Sequence, residues 1–281
     1  MRLPRGFACW MLAAGAFVAL GQLALASETV YDGFNHSFPV YAAGGAGFSA
    51  PWVQGGFNAF SSDYSYERHS LCYPDLQRSG GSVSGQAESE INGMIRNLEQ
   101  TLGADGTTVY VSFLLEPRGK LNDGVFDGFF GVTLNGSLGN DLFIGKPGGG
   151  ATGQYVLETR GGFGQVPSGT ATVVGRAVLL VVKAQFRPGN DLFTLYVDPK
   201  AGGSEPATSV VKADLDLGTV DHIGVYSTGA FAVDEIRIGT AFTDVVPAWS
   251  GIDPRNDRFD GCGEDDRSHG DDDHSHDGHG H

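Results

Sequence analysis

FAVDEIRIGTAFTDVVP, from Phe231 to Pro247, reads as a closing β-strand followed by a short exit segment. Side chains alternate along a strand with a period of two, so Ile236 and Ile238 share one face. On that spacing Asp234 joins them, while Glu235 and Arg237 take the other face. A carboxylate in phase with core residues has to be hydrogen-bonded, metal-bound or at the open end of its strand, because an unpaired buried charge is strongly disfavoured. Two roles follow for Asp234. It caps loop N–H groups at the edge of a sandwich, or it ligates a structural Ca²⁺ with backbone carbonyls and Asp32 of the first strand. The stretch also draws a boundary, because the apolar periodicity stops after Pro247.

Upstream, the chain is rich in short alternating runs. Val109, Val111, Phe113 and Leu115 share a face, as do Phe130, Val132 and Leu134. Leu180, Val182, Ala184 and Phe186 form a third set, Phe193, Leu195 and Val197 a fourth, and Ile223 and Val225 a fifth. These runs favour β-branched and aromatic residues. The chain holds 44 glycines with no triplet period, which fits many turns joining many strands. One segment resists. Ile91, Met94, Ile95, Leu98 and Leu102 recur at helical spacing, and periodicity alone favours a short helix there. The motif GNDLF occurs at Gly139 to Phe143 and again at Gly189 to Phe193, as expected for two turns that each feed a strand.

The ends differ from the middle. Arg2 and Arg5, an apolar run from Gly6 to Leu20 and the small-residue site Ala24-Leu25-Ala26 form an export leader over residues 1–26. The expected mature chain is therefore exported, to the periplasm, the cell surface or the medium, and it has no later apolar stretch long enough to span a membrane. Its 33 acids against 16 Lys and Arg give a net charge of −17, which argues against nucleic-acid binding. Residues 27–247 form the domain, and residues 248–281 an Asp/His-rich tail expected to be disordered. In the tail, His269, His274, His276, His279 and His281 alternate with Asp271, Asp272, Asp273 and Asp277. Neutral imidazoles with nearby carboxylates suit Zn²⁺, Ni²⁺ or Cu²⁺. Without the leader two cysteines remain, Cys72 and Cys262, which either pair or stay as separate thiols.

An ordered set of short stretches resembles a known family. The stretches are YDGFN (31–35), GFSAPW (47–52), LCYPDLQRSGGSVSG (71–85), GADGTTVYVSFLLEP (103–117), LFIGKP (142–147), AVLLVVKAQF (177–186), LFTLYVDP (192–199) and VDEIRIGTAFTDVVP (233–247). In this order they are similar to the concanavalin A-like lectin/glucanase superfamily, in its LamG-like jelly-roll form found in exported bacterial proteins. The resemblance implies an all-β fold, a two-sheet antiparallel jelly-roll sandwich with its first and last strands adjacent. It also implies a strand, against the periodicity, at Met94 to Leu98.

Glucanases of that superfamily place carboxylates on one strand in a Glu-x-Asp-x-(x)-Glu pattern, with two groups about 5 Å apart for retention. This chain lacks the pattern. Asp214 and Asp216 share a strand face without Glu partners, Asp123 and Asp127 read as turn residues, and His222 with Tyr226 reads as structural. The reading leans away from an enzyme. Of the aromatic group Trp52, Phe57, Phe60, Tyr64 and Tyr66, Trp52 is assigned to the core. Tyr64 and Tyr66 are the expected ligand-contacting pair, with packing under a loop as the competing role. The functional expectation is non-catalytic recognition of a glycan or another surface component. Metal capture by the tail and an atypical polysaccharide hydrolase or lyase are the alternatives.

Overall fold

The computed structural model describes residues 30–35, 44–54 and 64–249. It is a sandwich of two antiparallel sheets. The larger sheet runs β13 (Val210–Lys212), β12 (Leu192–Val197), β11 (Val178–Gln185), β6 (Thr108–Pro117), β15 (Phe231–Gly239), β4 (Ser82–Gly85) and β3 (Ser65–Glu67). The first strand, β1 (Val30–Asp32), pairs with β15 as well, so the two ends of the domain are neighbours. The smaller sheet runs β10 (Phe163–Ala171), β9 (Gln154–Thr159), β8 (Asp141–Lys146), β7 (Phe130–Gly136), β14 (Val220–Ser227), β5 (Asn92–Leu102) and β2 (Val53–Gln54). Two four-residue helices, α1 (Val125–Gly128) and α2 (Phe242–Val245), complete the elements. Among the described residues no helix is long and apolar enough to cross a membrane.

The alternating sets read from the sequence all enter the layer between the sheets, from Val111 and Phe113 on β6 to Val225 on β14. A second apolar cluster lies on the outer face of the larger sheet. There Leu114, Leu179, Val181 and Ala232 point away from the sandwich and are roofed by Leu71, Tyr73, Leu76 and the α2 residues Phe242 and Val245. Both faces of the larger sheet are thus apolar, which explains why β6 and β11 read as nearly continuous apolar runs. The described chain stays paired to Trp249, whose N–H donates to the Asp75 carbonyl at 2.7 Å.

The two GNDLF turns work alike. Gly139 and Gly189 both adopt positive φ. Asp141 accepts from the Gly136 N–H and Asp191 from the Arg187 N–H, each at 3.1 Å.

At residues 91–102 the helix favoured by periodicity is corrected and the strand implied by the resemblance at Met94 to Leu98 is found: β5 spans Asn92–Leu102. Its inward positions are Asn92, Met94, Arg96 and Leu98, half of them polar, so the period of two is hidden. Arg96 holds a core position because it bridges the sheets. Its guanidinium meets Asp32 of β1 at 2.5 Å and donates through Nε to the Ala50 carbonyl at 2.8 Å. It also bonds the Gly44 carbonyl and lies 4.0 Å from the Phe48 ring centroid. Asp32 accepts further bonds from the Phe34 N–H at 2.9 Å and from Trp52 Nε1 at 2.8 Å.

Removing one member of a buried pair leaves the other charge uncompensated, at a cost of about 3–5 kcal/mol. Arg96→Met should therefore lower the unfolding free energy in urea by that amount, and Asp32→Asn with Arg96→Met should recover part of the loss.

Candidate functional site

The closing strand carries a bulge. Asp234 is opposite Leu114 and Arg237 is opposite Ser112, so two residues of β15, Glu235 and Ile236, face one residue of β6. Glu235 takes the left-handed conformation, φ 54°. The extra residue resets the alternation: Phe231 and Val233 point into the main core before it, Ile236 and Ile238 after it. Asp234 consequently does not share the Ile236 face. It lies on the outer side, across from Leu114 of the second cluster, and Glu235 and Arg237 are on that side too.

Here the two carboxylates are buried together. Asp234 Oδ2 accepts from Ser70 Oγ at 2.5 Å and from the Leu71 N–H at 2.9 Å, and Oδ1 accepts from the Glu235 N–H at 2.7 Å. Glu235 accepts from the Ser79 N–H at 2.6 Å, from the Tyr31 hydroxyl at 3.1 Å and from Arg237. The Arg237 guanidinium lies 4.2 Å from the Tyr31 ring centroid. Burial, then the Glu235 charge, raises the Asp234 pKa well above the ordinary carboxylate range. Burial raises Glu235 as well, against the pull of Arg237. The role seen for Asp234 is the capping of loop N–H groups.

The structure does not bring Asp32 and Asp234 together around an ion. Asp32 pairs with Ile236 and points into the sandwich at Arg96 and Trp52, whereas Asp234 points outward, and protein donors occupy both. Among the described residues no three His, Cys, Asp or Glu side chains gather as metal ligands.

The exposed aromatic pair is also corrected. Tyr64 is 6 % exposed, stacks edge-on against Phe231 at 5.7 Å and bonds Ser227 Oγ at 3.0 Å. Tyr66 is half-buried against the same core. The reason is the short β3, whose alternation turns both tyrosines inward and leaves Ser65 outside. Trp52 is fully buried, as its core assignment requires. Asp214 and Asp216 lie beyond the end of β13, off any strand. Phe57, Phe60, Cys262, the leader and all nine His and Asp ligands proposed in the tail lie outside the described residues.

A different set of residues forms a coherent surface. Ile223, Val225, Val132, Leu134, Leu142 and Ile144 fill the core, so their neighbours on β14, β7 and β8 face outward. Three rows cross the smaller sheet. His222, Asn135 and Asp141 are in register, with Asn97 beyond His222. The next row is Ile95, Gly224, Thr133, Phe143 and Glu158. The third is Gly93, Tyr226, Gly131, Gly145 and Val156.

The glycines allow the rings to lie flat. A Cβ on Gly224 would stand 2.4 Å from the Tyr226 ring, and one on Gly131 2.8 Å from the Phe143 ring. Arg160 reaches over the floor, 5.2 Å from the Tyr226 ring centroid, and bonds Asp141 at 2.7 Å. Thr133 Oγ1 donates to Asn135 Oδ1 at 2.9 Å, and Gln165 Nε2 donates to Glu158 Oε2 at 2.8 Å. Burial raises the Tyr226 pKa, against the Arg160 charge and hydrogen bonds from Arg160 and Asn135. Burial also raises that of Glu158. The floor is recessed, with Tyr226 4 % and Phe143 2 % exposed. At its rim, the Arg160 and His222 side chains keep 26 % and 31 % exposure. Much of this face is covered all the same, since Thr133, Asn135, Asp141, Phe143, Glu158 and Tyr226 are all buried. The sequence held a signal for it: the outward positions of β7, β8 and β14 are Gly, Thr, Asn, Asp, His and aromatic, with no Lys, Arg or Glu.

No protein-family model matches the chain, and no curated protein matches it. Solved structures with a similar course of the chain include an endo-1,3-beta-glucanase from Streptomyces sioyaensis. It has 10 % identity and a TM-score of 0.46, and the match covers 78 % of this chain and 98 % of that one. The globular domain of T. cruzi calreticulin has 8 % identity and a TM-score of 0.44, covering 69 % and 86 %. Peanut lectin has 13 % identity and a TM-score of 0.37, covering 68 % and 98 %. The sandwich itself rests on its own strand pairing.

The raised carboxylates set a pH dependence. A group with a raised pKa in the fold holds its proton there after the unfolded chain has lost it, so it adds stability at low pH that is lost as pH rises through the folded value. Above the ordinary carboxylate range, about pH 4, the wild-type urea midpoint should fall as pH rises through the raised folded values, and Asp234→Asn should flatten that slope.

Proposed function

We propose that the protein is an exported, non-catalytic module that recognises a glycan on the outer face of its smaller sheet. The observation that carries this reading is the glycine-floored platform of Tyr226 and Phe143 beneath Arg160, His222, Asn135 and Asp141. A sugar presents hydroxyls that both donate and accept, which suits the polar rim; the Tyr226 and Phe143 rings, 4 % and 2 % exposed, support that rim from below. The platform offers donors from Arg160 and Asn135, acceptors from Asp141 and Asn135, and a partly open rim. Such a few placed polar groups around apolar surface are typical of small-ligand sites. The excess of acids in the chain favours neutral over anionic glycans. The lectin and glucanase names among the structural neighbours are in keeping with this class of ligand. We take metal capture by the tail as a separate property, carried by the His/Asp spacing of residues 269–281.

A hydrogen bond to a charged group contributes about 1.5–3 kcal/mol, so Arg160→Ala should weaken the best glycan-array ligand about tenfold or more. Asn135→Ala should weaken it less, and Arg160→Ala should melt near the wild type. Unchanged affinity in both would remove the platform from the binding site. Release of reducing or unsaturated ends from the bound polysaccharide would show an enzyme in place of a binder. For the tail, calorimetric titration with Zn²⁺ should lose its binding heat when residues 251–281 are deleted; heat that survives the deletion places the metal elsewhere.

A further inference from the structure

Cys72 sits on the loop that roofs the outer face of the larger sheet, and it is disulfide-bonded. It is the sole cysteine among the described residues, and the chain has two others, Cys9 and Cys262. Cys9 belongs to the apolar stretch that the sequence marks for removal. Beside Cys72 opens a cleft of about 450 Å³, walled by Tyr73, Pro74, Asp75, Arg176, Asp198 and Lys200. Arg176 pairs with Asp198 at 2.5 Å yet keeps 58 % of its side chain exposed.

The described chain leaves the fold at this same place. Ala248 bridges to Leu76, and the Trp249 N–H is bonded to Asp75, a wall of the cleft. From Trp249 to Cys262 the chain can span at most about 45 Å at roughly 3.5 Å per residue, so return to Cys72 needs only a short loop. The segment around Cys262, residues 257–266, holds Asp257, Asp260, Glu264, Asp265 and Asp266 against Arg258 alone.

We propose that a Cys72–Cys262 disulfide seats the acidic segment 257–266 on this cleft, with Arg176 and Lys200 as its counter-charges. The tail then begins from a fixed point on the domain, on the side opposite the glycine-floored face. In forming the bond, the two thiols pass two electrons and two protons to the disulfide of a dithiol oxidant in the export compartment, which leaves as the dithiol.

Peptide mapping of the mature, unreduced protein after thiol blocking tests the pairing. The tryptic peptide HSLCYPDLQR (69–78) should appear linked to FDGCGEDDR (259–267), and reductant should separate the two. Both peptides recovered in blocked form, or each linked to its own copy, would overturn it. Hydrogen exchange tests the seating. Residues 72–78 and 198–201 should exchange about tenfold faster in Cys262→Ser than in the oxidised wild type. Arg176→Glu with Lys200→Glu should show the same loss of protection while keeping the linked peptide. Equal exchange in all three proteins would overturn the docking and leave only the covalent link.

Discussion

The closing strand has to serve two partners along one edge. Phe231 to Val233 pair with β4, and Ile236 to Ile238 pair with β1. Between these segments lie Asp234 and Glu235, at the bulge. A change of partner leaves backbone donors without a ladder, and buried donors must be satisfied by some other group. The two carboxylates do this. They take the N–H groups of Leu71, Ser79 and Glu235, which no strand is placed to accept. The bulge thereby fixes the 70–79 segment on the outer face of the larger sheet. The left-handed Glu235 is an unfavourable backbone state for a non-glycine residue, costing about 1–3 kcal/mol. It persists because the strands on both sides and the loop above determine it together.

The same logic of saturated charge appears at the other side of β1. Asp32 turns into the sandwich and meets Arg96, and between them they bond Phe34, Trp52, Ala50 and Gly44. Successive residues of the first strand therefore tie it in opposite directions: Tyr31 outward to Glu235 and Ser79, Asp32 inward to the other sheet. A three-residue edge strand with ordinary apolar pairs would be held weakly. Charged groups with fixed partners give it one register, since a slip by one residue would exchange Tyr31 for Asp32.

What the sequence displayed and what it hid follow from these two clusters. The strands with alternating apolar residues, such as Val109 to Leu115 and Leu192 to Val197, were legible because burial on the inner face depends only on period. β5 was not, because Arg96 stands in a core position and erases the alternation. The faces of Asp234 and Glu235 were not legible either, because a bulge changes parity and leaves no compositional mark when its left-handed residue is a glutamate rather than a glycine. Tyr64 and Tyr66 misled for a related reason. SSDYSYER has the composition of a loop, but three residues of pairing with β4 suffice to turn both rings inward.

The division of labour between the outer faces can be argued from the side chains alone. On the larger sheet the outward residues Leu114, Leu179 and Val181 are apolar, so that face has to be covered, and the segment pinned by Asp234 and Glu235 covers it together with α2. On the smaller sheet the outward residues Asn135, Thr133 and Asp141 satisfy one another or their neighbours by hydrogen bonds. Glycines on the paired strands bring the Tyr226 and Phe143 rings down onto the backbone. Such a face needs no apolar roof, and its glycines leave the space in which the Tyr226 and Phe143 rings pack against the backbone. The bulge that fastens the roof to one sheet therefore also separates an apolar, covered outer face from a polar one.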